Sequence, residues 1–244
     1  MAYDKRQATH EFTRWSESYD RSILQWMLFL PAHRAILRRI RGRSGDRPLK
    51  VLDIGCGTGA FAERIRGDLP EARVWGVDLV AGMLNKGGGR WRLHREHVQP
   101  VQGDSERLPF AGGSFDVVTC ANSFHHYPHQ DRAIVEMHRV LRPGGRMLLV
   151  DGYRDAPWGW FIYDVCVAAR EGAVHHASAQ RVRDLFAAAG FAEVEQQVHR
   201  GLAPFLLTEA VATSRAIPAP HIAPANARAG AAARSAQDPT SWGA

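Results

Sequence analysis

The apolar positions of this chain follow two periods that take turns along its length. After Pro31, which suits a first helical turn, Ile36, Leu37 and Ile40 recur at helical spacing, and the pattern predicts a helix over residues 23–41. Ahead of it, residues 1–22 mix aromatic and charged side chains and read as part of an N-terminal cap spanning 1–48. Beyond the polar loop Arg41–Pro48 the apolar runs become short. Lys50–Ile54 is a strand running into a glycine turn, and Ala60–Arg66 starts a helix. Arg73–Val77 is a second strand, followed by a short helix, Leu79–Lys86, that ends at Gly87-Gly88-Gly89. Val98–Gln102 and Phe115–Ala121 are the third and fourth strands; the run FDVVTCA has the near-continuous apolar character of a buried parallel strand.

The same alternation continues to the end of the domain. Gln130–Leu141 is helical, Pro143-Gly144-Gly145 is a turn, and Arg146–Asp151 is a fifth strand. Ser178–Ala189 is a helix stopped by Gly190, and Phe191–His199 and Phe205–Ala212 pair as a closing hairpin. Strands alternating with helices indicate parallel βαβ units, so the expected class is a doubly wound α/β sheet over residues 49–213. Ligands of such sheets bind at the carboxyl ends of the strands, where strand order reverses. Chemistry is therefore expected just after strands one to four. Residues 214–244 are rich in Ala and Pro, show no periodicity, and are expected to be disordered in solution.

Composition narrows the field further. Hydrophobic residues at 45% and charged residues at 23% are ordinary for a soluble domain, and 244 residues can bury a substantial core. No apolar run reaches the roughly 18 residues of a membrane-spanning helix, and MAYDKRQATH lacks a secretory h-region. Cys56, Cys120 and Cys166 have no CxxC spacing, which argues for a reducing, cytoplasmic setting and against a disulfide framework or structural zinc. The net charge of +6 allows a nucleic-acid partner, but the arginines are spread and form no recognition motif, so none is expected. Trp26–Leu30 beside Arg34–Arg41 has the makings of a membrane-surface face, although such a face more often packs on its own domain.

The glycine turn VLDIGCGTG, residues 51–59, carries the first chemical signal. Glycine permits close ligand approach and positive φ, and the following helix offers unpaired N–H groups. Gly55-x-Gly57-x-x-Ala60 also meets the loose dinucleotide fingerprint, which keeps an NAD(P)-dependent oxidoreductase open. Asp53, at the strand end, suits a cationic amino group better than a pyrophosphate. Asp78 ends strand two and can accept two ribose hydroxyls, a role common to both kinds of nucleoside ligand. Asp104 and Ser105 follow strand three, where a polar side chain can meet an adenine amine while Leu79 and Met83 pack on its ring.

VLDIGCGTG, WGVDLVAGML, GDSERLPFAGGSFDVV and RVLRPGGRMLLVD stand in this order and at these spacings, and together they resemble class I S-adenosylmethionine-dependent methyltransferases. The resemblance is to the subgroup of ubiquinone/menaquinone biosynthesis C-methyltransferases and covers roughly residues 10–212. It implies a seven-stranded Rossmann-like fold with S-adenosylmethionine as cofactor and S-adenosylhomocysteine as product. Asp53, Gly55 and Gly57 would then hold the methionine part, Asp78 the ribose, Asp104 and Ser105 the adenine, and Asn122 the methyl-donor end. In the N-terminal cap, Trp15 and Tyr19-Asp20 are similar to the family's aromatic–acidic pair, with Tyr19 closing over the cofactor and Arg14 meeting its carboxylate. Where the quinone enzymes carry an arginine–asparagine type sequence after strand four, this chain has Asn122-Ser-Phe-His125-His126-Tyr127-Pro128, so the acceptor stays open. The resemblance implies a small, largely apolar or aromatic acceptor methylated at O, C or N.

Methyl transfer from a sulfonium is an in-line displacement that needs alignment and exclusion of water, with a base only where the nucleophile must lose a proton. His125 and His126, after strand four, are equal candidates for that base; the plain alternative is that they cap a turn. His175-His176 has a loop or capping role as its default. No HxxxH-type spacing supports a metal, and none is expected. Trp158–Ala169 reads either as a core helix or as a lid, within about residues 152–177, whose Trp158, Trp160, Phe161 and Tyr163 line an acceptor pocket. Cys56 has no base beside it and reads as packing. A Tyr-x-x-x-Lys pair for hydride transfer is missing, as is an Asn/Asp-Pro-Pro-aromatic signature for base methylation in RNA. A non-catalytic binding module of the same fold, and a monomer or a homodimer, remain open.

Overall fold

Neighbouring residues on the central strands enter opposite hydrophobic layers. Val51, Val117, Leu148 and Val150 face one core, while Leu52, Val118, Met147 and Leu149 face the other. That alternation is the signature of a sheet covered on both sides. The computed structural model describes residues 29–41, 47–171 and 174–214. Its helices are α1 Leu30–Arg41, α2 Ala60–Asp68, α3 Ala81–Lys86, α4 Gly88–Leu93, α5 Gln130–Val140, α6 Pro157–Trp160, α7 Ala168–Glu171 and α8 Ala179–Ala188. The strands are β1 Lys50–Ile54, β2 Arg73–Asp78, β3 Val98–Gln102, β4 Phe115–Ala121, β5 Leu141–Gly152, β6 Phe191–His199 and β7 Phe205–Ala212.

The seven strands lie in the order β3-β2-β1-β4-β5-β7-β6. Neighbours from β3 to β5 are parallel, and β7 runs antiparallel to both β5 and β6. The expected closing hairpin is thus present, with its second strand inserted between β5 and β6. Residues of α1, α2 and α4 fill one layer and those of α5 and α8 the other. Strand order reverses between β1 and β4, so a crevice opens at their carboxyl ends.

The apolar face of α1 (Ala32, Ala35, Ile36, Leu37, Ile40) is buried in its own domain. Arg39 reaches Glu209 on β7 at 2.6 Å, and Arg41 reaches Asp68 at 2.6 Å. Part of the basic face offered to a membrane by the sequence is therefore used internally. No helix among the described residues is long and apolar enough to cross a membrane.

Two stretches differ from the sequence reading. Pro143-Gly144-Gly145 does not separate a turn from a strand: β5 is continuous from Leu141, and its register against β4 shifts between the pairs Phe115–Leu141 and Val117–Arg146. Gly144 (φ 77°) absorbs that bulge. The glycine run ends α3 at Lys86 as expected, but a second short helix that the sequence reading did not include follows it. Gly87 caps α3, and α4 restarts at Gly88. The reason is Trp91, whose indole N–H donates to the Leu84 carbonyl at 2.8 Å. A Cβ on Gly59 would run into the Trp91 ring, one on Gly87 into the Thr58 carbonyl, and one on Gly76 would lie 3.3 Å from the ring. Gly59 and Gly87, from separate elements, make room for one buried indole, while Gly76 leaves space chiefly for Cys56, whose Sγ would lie 2.9 Å from a Cβ there.

Candidate functional site

The glycine turn bends sharply because Gly55, Gly57 and Gly59 all take positive φ, at 71°, 56° and 80°. The Gly55 and Cys56 N–H groups both donate to the Val77 carbonyl, at 2.8 and 3.0 Å, which ties the turn to β2. On its other side the turn rests on the segment after β4. Ser123 Oγ donates to the Ile54 carbonyl at 3.2 Å and lies 3.1 Å from the Tyr127 hydroxyl. A Cβ at Gly55 would collide with Ser123. Cys56 is buried, which pushes its thiol well above the ordinary range and leaves it a packing residue.

Asp78 stands at the end of β2 and organises the crevice. Its Oδ2 accepts the Gly57 N–H at 2.8 Å and its Oδ1 accepts the Val80 N–H at 2.9 Å. Burial pushes its carboxyl up, and these two N–H groups pull it back. Each oxygen retains a lone pair for a further donor. Asp53 is 2% exposed beneath the turn, where Thr119 Oγ1 donates to its Oδ1 at 2.8 Å. Burial raises its carboxyl to about 7, against the Thr119 hydrogen bond and with the help of the Asp78 charge. On the far side of β2, Asp104 and Ser105 are half-buried, and Asp104 Oδ1 accepts the Glu106 N–H at 3.0 Å. Leu79 is half-buried and Met83 buried.

Asn122 follows β4 with φ 53°, an uncommon value outside glycine that Asn tolerates better than most residues. Its backbone N–H donates to Val150 at 2.8 Å, while its side-chain Nδ2 is buried without a hydrogen-bond partner. An unpaired buried donor at the strand-order reversal is a group waiting for an acceptor.

His125 and His126 lie on the short 3₁₀ turn Phe124–His126, and the structure separates their roles. His125 Nδ1 is 2.6 Å from Asp151 Oδ1 near the end of β5, and because a carboxylate only accepts, the imidazole donates. Both residues are buried. Burial pushes Asp151 up, but the His125 charge and hydrogen bond prevail and hold it below the usual carboxylate range. His126 is held well below the ordinary imidazole range by burial first, then by His125 and His176. His176 stacks on His125 with centroids 4.4 Å apart, and Tyr163 lies 4.9 Å from His176. The His175 N–H donates to the His125 carbonyl at 2.8 Å. His176 is thus an inner residue of the site, where the sequence suggested a loop surface; its ring partners Tyr163 and His125, 13 and 51 positions away, carry no local signal.

The aromatic stretch after β5 is helical, with a π segment, Phe161–Val167, between α6 and α7. Its side chains divide. Tyr163 is buried against Gly152 and faces the histidines, whereas Trp158, Trp160 and Phe161 are 52%, 50% and 45% exposed. Trp158 stacks on Phe161 and donates to the Leu202 carbonyl at 2.9 Å. Of the aromatic residues proposed to line a pocket, only Tyr163 turns inward. Arg14, Trp15, Tyr19 and Trp26 lie outside the described residues, as does the 215–244 tail. The sequence reading missed Ser123, Thr119 and Asp151; a Thr and an Asp inside apolar strands were the available signals.

A mostly parallel sheet with this strand order, a triple-glycine turn after β1 and an acidic residue ending β2 define a nucleoside-binding α/β fold. A family described as methyltransferase domain matches residues 51–145. The chain belongs to the class I S-adenosylmethionine-dependent methyltransferases, in the subgroup of the ubiquinone/menaquinone biosynthesis enzymes. It is 34% identical over 150 residues to a demethylmenaquinone methyltransferase from Deinococcus radiodurans, a match spanning 61% of each chain. It is 30% identical over 165 residues to a demethylmenaquinone methyltransferase from Listeria welshimeri, covering 66% of this chain and 69% of the relative. A solved methyltransferase structure from Thermotoga maritima superposes with a TM-score of 0.67 at 21% identity, covering 84% of this chain and all of that one. S-adenosylmethionine is the methyl donor that this membership implies. The residues present fit it: Asp78 has spare acceptor capacity, Asn122 an unpaired donor, and the turn has glycine where the backbone must come close.

Proposed function

We propose that this protein transfers the methyl group of S-adenosylmethionine to a small aromatic acceptor of the hydroquinone type, with His125 as general base. The observation that carries this reading is the buried His125–Asp151 pair at the carboxyl ends of β4 and β5, next to the glycine turn. The relatives named for demethylmenaquinone methylation support the acceptor class.

S-adenosylmethionine, when bound, supplies a methyl group on a sulfonium, already activated for displacement. Asp78 would hold the ribose hydroxyls, the glycine turn with Asp53 beneath it the amino-acid part, and Leu79, Met83, Asp104 and Ser105 the adenine. Asn122 would donate its spare amide N–H to the methyl-donor end. On the acceptor side, His125 takes the hydroxyl proton as the ring becomes nucleophilic. Asp151 fixes the imidazole so that Nε2 is the accepting nitrogen, and its negative charge favours the imidazolium that forms. Tyr163 packs beside the histidines and excludes water. His126, buried and held neutral, lines the same wall.

The test is methyl transfer from labelled S-adenosylmethionine to a panel of reduced demethyl-naphthoquinones and benzoquinones. The wild-type chain methylates at least one, and His125→Gln reduces kcat by about 10²–10⁴-fold, as loss of a general base does. A folded wild type that binds S-adenosylhomocysteine yet methylates none of the panel would remove the quinol reading. An unchanged kcat in His125→Gln would remove the base.

A further inference from the structure

The pairing with Asp151 does not account for everything gathered around His125. One donor atom each from His125, Asp151 and His176 lie within 4.8 Å of one another, and all three residues are buried. They come from three places in the chain: the turn after β4, the end of β5 and the segment before α8. Asp151 Oδ2 and His176 Nε2 are each buried with no hydrogen-bond partner. A carboxylate oxygen and an imidazole nitrogen left bare in the interior destabilise the fold unless something fills them.

Two imidazoles and one carboxylate form a donor set suited to zinc and its neighbours among the divalent transition metals, and poorly suited to magnesium or calcium, which prefer oxygen shells. We propose that His125, Asp151 and His176 form a binding site for a zinc-type divalent cation, and that its occupancy switches the base off. Metal–ligand bonds of about 2.0–2.1 Å put tetrahedral ligands about 3.3 Å apart, so the side chains draw inward and the stacked rings of His125 and His176 fan open. His125 Nδ1 exchanges its hydrogen bond to Asp151 for a bond to the metal, and the proton it carried moves through solvent to Nε2, so the ring binds as a neutral imidazole. With Nε2 protonated, the imidazole can no longer accept the acceptor's proton. The inhibition rests on the base reading; the binding does not.

The test is titration of chelator-stripped protein with zinc by calorimetry, and with cobalt(II) by visible absorption. Wild type, His176→Gln and Asp151→Asn are compared. Wild type takes up zinc at a site that each variant weakens by at least about tenfold, while S-adenosylhomocysteine affinity in His176→Gln stays within about twofold of wild type. Equal zinc affinity in wild type and His176→Gln, or no uptake by wild type, overturns the site. Should Asp151→Asn fail to fold, His176→Gln decides alone. In the methyl-transfer assay, zinc inhibits with a midpoint matching its Kd and a chelator restores the rate; zinc that binds at the trio yet leaves turnover unchanged overturns the switch. Zinc uptake by a protein that transfers no methyl group removes the proposed function and leaves the site standing.

Discussion

Asp53 and Asp78 sit at the ends of adjacent strands, and their surroundings treat them differently. Asp78 is held by two backbone N–H groups, whereas Asp53 has Thr119 and deep burial. Burial raises Asp53 from 3.8 to about 7, so the folded protein keeps a proton there that the unfolded chain releases near pH 4. Between those values the folded state binds more protons, and stability falls as pH rises. Asp53→Asn, neutral and nearly isosteric, removes that contribution: its melting temperature declines less than that of wild type from pH 4 to pH 7. Parallel curves for the two proteins would contradict the assignment. A second contrast is between neighbouring histidines. His126→Gln retains kcat within a few-fold, because the base is His125, whose Nδ1 Asp151 holds. Equal losses from the two substitutions would show that the pair acts as a unit. The sequence left His125 and His126 tied because the discriminating residue, Asp151, lies 26 positions away.

Elements were legible wherever one period dominated. β1, β3, β4, β6 and β7 have the boundaries expected from the apolar pattern, and α8 lies within one residue of its expected ends. What escaped was geometry produced by packing between elements. Gly87-Gly88-Gly89 resembles one interruption in sequence, yet its members differ in space. A Cβ on Gly87 meets the Thr58 backbone, while Gly88 and Gly89 have nothing within 4 Å. Gly88→Ala should therefore be neutral or stabilising by about 0.5–1 kcal/mol, since Ala favours a helix over Gly. Gly87→Ala should lose more than about 1 kcal/mol, because backbone cannot yield as a flexible side chain does. Urea unfolding of both variants checks the order, and a reversed order would contradict the Trp91 cage. The bulge at Pro143–Gly145 escaped for a similar reason: a Pro-Gly-Gly run signals a turn, and only the pairing of the flanking Leu141 and Arg146 with β4 carries the strand across it.

At the scale of the whole molecule, the order of strands places every cofactor-side candidate except Tyr19, which lies outside the described residues, along one edge. Asp53 and Asp78 lie in the last residues of β1 and β2, and Gly55, Gly57, Asp104 and Asn122 follow strand ends, which is why local motifs sufficed to nominate them. The proposed acceptor side was less legible because it is assembled from β4, β5 and the approach to α8, and because an aromatic run cannot disclose which rings turn inward. Tyr163 turned inward; Trp158, Trp160 and Phe161 did not. The cofactor half of the account is accordingly the one to test first. Calorimetric titration with S-adenosylhomocysteine, comparing wild type with Asp78→Ala, addresses it directly. One molecule binds the wild-type chain, and Asp78→Ala weakens binding by at least about tenfold, corresponding to loss of about 1.4 kcal/mol or more. A folded wild-type protein that releases no binding heat and shows no saturation, or an Asp78→Ala variant that binds equally well, would contradict the account.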